Sequence, residues 1–160
     1  MPKPAVALST AADNASGSAW VALADGSVRL VDTRANTSAV KWSAGVTARA
    51  IAVSANGQEI ALGAADGTVT LFDVRRGSVR EQWRRRGAPV ECVSFAPGDR
   101  ILVGGEDGLP YLVDVTRGNH VGLLLGELVF GNVEAVRALR VSGELVYMAG
   151  DGGVVRKYQL

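Results

Sequence analysis

Three Asp-Gly pairs, beginning at residues 25, 66 and 107, stand 41 residues apart, and Asp32, Asp73 and Asp114 keep the same step. The clearest copy of the repeated stretch runs from Ile60 to Asp73. Ile60, Leu62 and Ala64 alternate with smaller residues before the Asp-Gly pair, and Val69 and Leu71 alternate with Thr68 and Thr70 after it. Period-two alternation on both sides of Asp66-Gly67 predicts a β-hairpin. Gly67 supplies a positive φ at little steric cost, and Asp66 is expected to tolerate the left-handed region.

Related stretches occupy residues 21–32 and 101–114, and a fourth closes the sequence at 146–160, with Tyr158 in the place of Phe72 and Gln159 in that of Asp73. A period of about 40–45 residues with four strands to the unit is the signature of a propeller blade. At these residues the chain resembles the WD-repeat β-propeller family. That family places Trp-Asp at the end of the third strand of a blade. Here the place is held by Val31-Asp32, Phe72-Asp73, Val113-Asp114 and Tyr158-Gln159, so an apolar or aromatic residue always stands for the tryptophan. The family's Gly-His pair is missing from every repeat, and His120 falls in a predicted fourth strand. The resemblance therefore implies the blade fold without the buried Asp-His-Ser-Trp network of many members.

The expected fold is all-β: four repeats of four antiparallel strands, the last lacking its outer strand, in one domain over residues 1–160. The blades are read at about 5–45, 46–87, 88–131 and 132–160. Inner strands are expected near Ala5–Ser9, Arg49–Ser54, Glu91–Ala96 and Val136–Val141, with Ala5 matched to Ala50. Trp42, Trp83 and Leu124 are read as packing anchors of the outer strands. Pro110 interrupts a third strand, because proline cannot donate to a ladder. Residues 1–4, with prolines at 2 and 4, are too few to complete the last blade. The sequence leaves two arrangements open: four blades that close on an incomplete seam, or an open partial propeller completed by a second copy or another protein.

A net charge of +1 gives no global pull toward nucleic acid or anionic membrane. Cys92 is the only cysteine, which fits a reducing compartment, and no apolar run reaches the roughly 18 residues that span a bilayer. The start lacks the apolar core of a secretory signal. The expectation is an intracellular protein, cytoplasmic or nuclear, with no membrane partner.

Arg75, Arg76, Arg80, Arg84, Arg85 and Arg86 crowd the turn and outer strand of the second blade. They are candidates for binding RNA or an acidic partner, set against the competing reading of a solvated edge that discourages pairing. Val154, Val155, Arg156, Lys157 and Tyr158 form the predicted open-edge strand, a candidate for strand addition by a partner. The repeated aspartates are read as turn caps rather than metal ligands, since they recur once per blade. The Gly-rich stretches at 104–108 and 150–153 lack the lysine and helix of a phosphate loop. Arg49, Glu91, Arg137 and Arg140 are the only charges on the inner strands. No cofactor, metal or catalytic set is expected. The sequence favours a non-catalytic protein-interaction scaffold within a larger assembly; the alternative is an RNA- or acidic-partner-binding component using the arginine stretch.

Overall fold

The computed structural model describes residues 3–9, 17–85, 87–116 and 134–160. Among them the chain forms four antiparallel sheets and no helix long and apolar enough to cross a membrane. The first sheet runs β1 (Ala5–Ser9), β2 (Ser18–Leu23), β3 (Ser27–Asp32) and β4 (Thr37–Ser43) in that order. The second repeats it with β5 (Ala48–Val53), β6 (Glu59–Ala64), β7 (Thr68–Asp73) and β8 (Ser78–Arg84). β9 (Val90–Ala96), β10 (Arg100–Gly105) and β11 (Tyr111–Asp114) make the third, and β12 (Val136–Ser142), β13 (Leu145–Gly150) and β14 (Val155–Gln159) the fourth. The predicted outer strand of the third repeat, with His120 and Leu124, lies outside the described residues, as do Arg86, the polar turn at 10–16 and the connection at 126–132.

The repeated turn chemistry sets the hairpins. Gly26, Gly67, Gly108 and Gly153 take φ of +78°, +88°, +67° and +68°. In each case the glycine N–H donates to the carbonyl three residues earlier, as from Gly67 to Ala64 at 3.2 Å. Asp66 does not enter the left-handed region, which among the described non-glycine residues only Asn36 and Asp99 occupy. Its carboxylate instead accepts the N–H of Thr68 at 3.0 Å, and Asp25 and Asp107 serve Ser27 and Leu109 in the same way. Asp32 and Asp73 each accept two backbone N–H groups of the following turn, and Asp114 accepts that of Thr116. These bonds occupy the carboxylates with local capping. Pro110 stands just before β11, which is four residues long where β3 and β7 have six.

The first strand of each sheet packs on the first strand of the next: β1 on β5, β5 on β9, β9 on β12. Three apolar layers fill the spaces between sheets. Trp20, Val28, Ile51 and Ile60 join the first to the second. Val69, Leu71, Ile101 and Val103 join the second to the third. Leu102, Leu112, Val146 and Met148 join the third to the fourth. Sheets stacked in sequence order around their first strands give a β-propeller-like fold.

The register corrects one expectation. Ala5 pairs with Leu23, and Ala48 with Ala64, which stands 41 residues beyond Leu23, so Ala5 corresponds to Ala48 and not to Ala50. The slip is two residues. A strand repeats its faces every two residues, so the same side chains meet the core in either alignment, and the apolar pattern does not distinguish them.

Candidate functional site

The inner strand of every sheet carries a bulge at the same point. Pairing shifts between Ala5 and Ala7, Ala48 and Ala50, opposite Gly104 and Gly105, and between Val136 and Ala138. The extra residues are Val6, Arg49, Glu91 and Arg137. A bulge leaves its residue out of the ladder and re-aims its side chain. Here three of the four are charged, alternate in sign, and lie on consecutive strands that pack together.

A second set comes from the hairpin turns. Glu106 follows Gly105 and Asp151 follows Gly150, each two residues before a left-handed glycine. The same place holds Ala24 and Ala65 in the first two sheets. The two sets meet. Arg49 Nη1 bonds Glu91 Oε1 and lies 3.4 Å from Glu106 Oε1. Arg137 Nη1 lies 3.3 Å from Glu91 Oε2 and 3.9 Å from Glu106 Oε1. Arg137 also grips Asp151 with two parallel bonds, Nε to Oδ1 at 2.8 Å and Nη2 to Oδ2 at 2.9 Å. That fork holds the Asp151 carboxyl below the usual range and raises Arg137.

Two guanidinium groups and three carboxylates thus bridge the inner strands of the second, third and fourth sheets. Glu91 is the most enclosed, its side chain 14% exposed, and the others stay open to solvent. Screening keeps such exposed pairs weak one by one, but as a connected set they hold neighbouring sheets in register. Cys92 stands beside Glu91, its thiol 3.4 Å from the Val136 carbonyl. Burial, reinforced by the Glu91 charge, pushes the thiol up to about 12, so it keeps its proton near neutral pH. Among the described residues no group of three or more His, Cys, Asp or Glu is placed to hold a metal ion.

The arginine stretch divides. Arg80 is the extra residue of a bulge in β8, since Leu71 pairs with Glu81 and Phe72 with Val79. Its side chain bonds Glu59 and donates to the Val115 carbonyl at 2.6 Å. Arg85 places its guanidinium 4.9 Å from the centre of the Tyr111 ring. Both therefore reach across to the third sheet. Arg75, Arg76 and Arg84 are exposed, with Arg76 Nε 3.7 Å from Asp73. Arg86 lies outside the described residues.

Among the described residues β14 stands at the end of its sheet, with Val154 just ahead of it. Val154 and Val155 are 54% and 69% exposed, Lys157 is exposed, and Arg156 and Tyr158 are half-buried. Tyr158 packs toward the third sheet. The sequence pointed to Arg49, Glu91 and Arg137 as lone inner-strand charges but missed Glu106 and Asp151. The signal for those two was their shared place two residues before the turn glycine.

No family model and no curated protein matches the chain. Solved structures do. The crystal structure of a mitotic checkpoint complex contains a chain similar to this one with a TM-score of 0.78 and 20% identity, over 95% of this chain and 46% of that one. The crystal structure of the computationally designed Ika4 protein is similar with a TM-score of 0.76 and 18% identity, over 100% of this chain and 93% of that one. The chain thus spans about half the length of the first of these neighbours. At such identities the likeness shows the fold alone.

Proposed function

We propose that the protein is a non-catalytic interaction scaffold of the WD-repeat type, four blades forming an open arc within a larger intracellular assembly. One observation carries the reading. Among the described residues six large hydrophobics are exposed, and five of them lie at the two ends of the stack: Val6 and Leu8 on the first sheet, Tyr147 and Val155 on the fourth, and Val154 just ahead of β14. The second and third sheets are covered on both faces by their neighbours. Exposed apolar surface gathered at the two ends of a stack marks places where further protein docks. The neighbour of known structure from a checkpoint complex agrees with a role among protein partners. The mutual pairing of the inner-strand charges, and a thiol that keeps its proton, support a role without catalysis.

The test is cross-linking of the protein to its partners in extracts of its source cell, followed by mapping of the linked residues. The reading expects links concentrated on residues 3–9, 17–32 and 136–160. Links confined to the second and third sheets, or none to any protein, overturn it. The RNA- or acidic-partner alternative rests on Arg75, Arg76 and Arg84, since Arg80 and Arg85 are engaged with the third sheet. A steep loss of RNA binding with added salt would favour it.

A further inference from the structure

The fourth sheet turns one face to the third through Val146, Met148 and Tyr158. The alternate residues lie on the opposite face in rows across the strands. One row is Ala138, Ala149 and Val155; the next is Arg140, Tyr147 and Lys157. In the second sheet the counterpart of the latter row is Ala52, Ala61 and Leu71, buried against the third sheet. So where an internal sheet is small and apolar, the fourth presents two cations around an exposed tyrosine. The nearby acids of this sheet, Glu144 and Asp151, pair with Arg100 and Arg137. Arg140 and Lys157 make no ion pair among the described residues.

Two more observations concern the same end. β14 is the outermost strand of its sheet, with no strand paired to its outer side among the described residues. The turn glycines differ as well. A Cβ added at Gly26 would lie 2.1 Å from the carbonyl oxygen of Val46, and one at Gly108 would lie 2.6 Å from that of Glu134, on the connections into the next sheet. At Gly153 no described residue lies within 4 Å of an added Cβ. Among the described residues no following sheet fills the corresponding space here.

The occupant of this space must satisfy backbone groups along an edge and cations on a face. A second copy is a poor fit. The face of its first sheet turned away from the second sets Leu8, Val21 and Arg29 in one row, which brings a third cation toward Arg140 and Lys157 and no carboxylate. Like charges brought together without water cost more than the apolar contact returns. We propose that the edge and free face of the fourth sheet bind an extended acidic segment of a partner protein, which adds as a strand beside β14. A carboxylate of that strand sits opposite Lys157, and an apolar residue covers Val155. Arg140, two strands and about 10 Å further in, adds attraction that speeds encounter. This assignment rests on the scaffold reading and names the kind of partner it holds.

The test uses the 160-residue chain and two fluorescently labelled peptides, one carrying valine and glutamate two residues apart, so that both fall on the same face of an extended strand, and its twin with lysine in place of glutamate. The glutamate peptide binds, the lysine peptide does not, and added salt weakens the binding. Hydrogen exchange of the β14 amides slows when the glutamate peptide is present. Lys157→Glu lowers that affinity by about tenfold and admits the lysine peptide. Arg140→Glu slows association. Both residues are exposed, so an unchanged unfolding midpoint confirms that each variant is folded. Equal binding of the two peptides, indifference to Lys157→Glu, or a chain found dimeric with β14 already protected each overturns the proposal. If cross-links still map to the fourth sheet while the glutamate peptide is ignored, the scaffold reading stands and the acidic segment falls.

Discussion

The indole of Trp42 lies flat on the ring of Phe72, with centroids 3.6 Å apart and planes 6° from parallel. Trp42 belongs to β4 and Phe72 to β7, so this stack joins the outer strand of one sheet to the hairpin of the next. Trp20 closes the cluster with its ring centre 6.1 Å from that of Trp42. Phe72 holds the place where the WD-repeat pattern sets tryptophan, and it uses that place to dock the preceding sheet. Trp42→Ala removes a large aromatic from a packed layer and is expected to cost about 3 kcal/mol. Urea unfolding of the variant measures it. A loss below about 1 kcal/mol would mean that the layer closes over the gap and that the stack holds little of the fold together.

The turn glycines give a comparison in which backbone conformation is nearly constant. Gly26, Gly108 and Gly153 share a φ between +67° and +78°, but among the described residues only the first two face a neighbouring backbone. Gly153→Ala should therefore cost only the left-handed strain of about 1 kcal/mol. Gly26→Ala and Gly108→Ala should cost clearly more, because the added methyl meets a carbonyl oxygen that cannot move without the connection behind it. Thermal unfolding of the three variants side by side decides the matter. Equal losses would show that Gly153 is as enclosed as the others.

The strands and their turns were legible in the sequence because both obey local rules. Alternation fixed the faces, the fixed step placed the hairpins, and Asp25, Asp32, Asp66, Asp73, Asp107 and Asp114 cap their turns as the residue type suggests. The sites were less legible because they depend on bulges. A bulge adds one residue to an apolar strand and leaves no mark on composition. Arg80 reads as one arginine among six, but its bulge carries it to Glu59 and Val115. Arg49, Glu91 and Arg137 read as lone charges on separate strands. Their meeting with Glu106 and Asp151 follows from the packing of the inner strands, which sequence spacing does not give.

Acid sensitivity follows from the turn caps. Asp25, Asp32, Asp66 and Asp73 are all held below their ordinary value of 3.8, Asp73 chiefly by the Arg76 backbone N–H and then by that of Arg75. A carboxylate whose folded pKa is depressed stabilises the fold above its unfolded value, and that contribution fades as pH falls through the folded value. Stability should therefore hold from neutral pH down to about pH 4 and decline below it. Asp73→Ala should be less stable than the parent at pH 7, and the gap should narrow as the parent's own carboxylate is protonated. A gap that stays constant from pH 7 to pH 2 would mean that the charge of Asp73 contributes nothing beyond its shape.

The divided arginine stretch yields the sharpest separation between neighbouring residues. Arg75, Arg76 and Arg84 are exposed, so replacing all three with serine should shift stability by less than about 1 kcal/mol in total. Arg80→Ala is different. It strips the Val115 carbonyl of a charged donor at 2.6 Å and leaves Glu59, whose side chain is 19% exposed, without its cation. Loss of a hydrogen bond to a charged group of this kind costs about 1.5–3 kcal/mol, with the lower end expected because the Arg80 side chain is 31% exposed. Arg80→Lys keeps the charge but not the reach to both acceptors, and should recover only part of the loss. Chemical denaturation of the triple-serine, alanine and lysine variants tests the assignment in one series. If Arg80→Ala proves as mild as the triple-serine change, Arg80 does not tie the second sheet to the third and belongs with the exposed Arg75, Arg76 and Arg84.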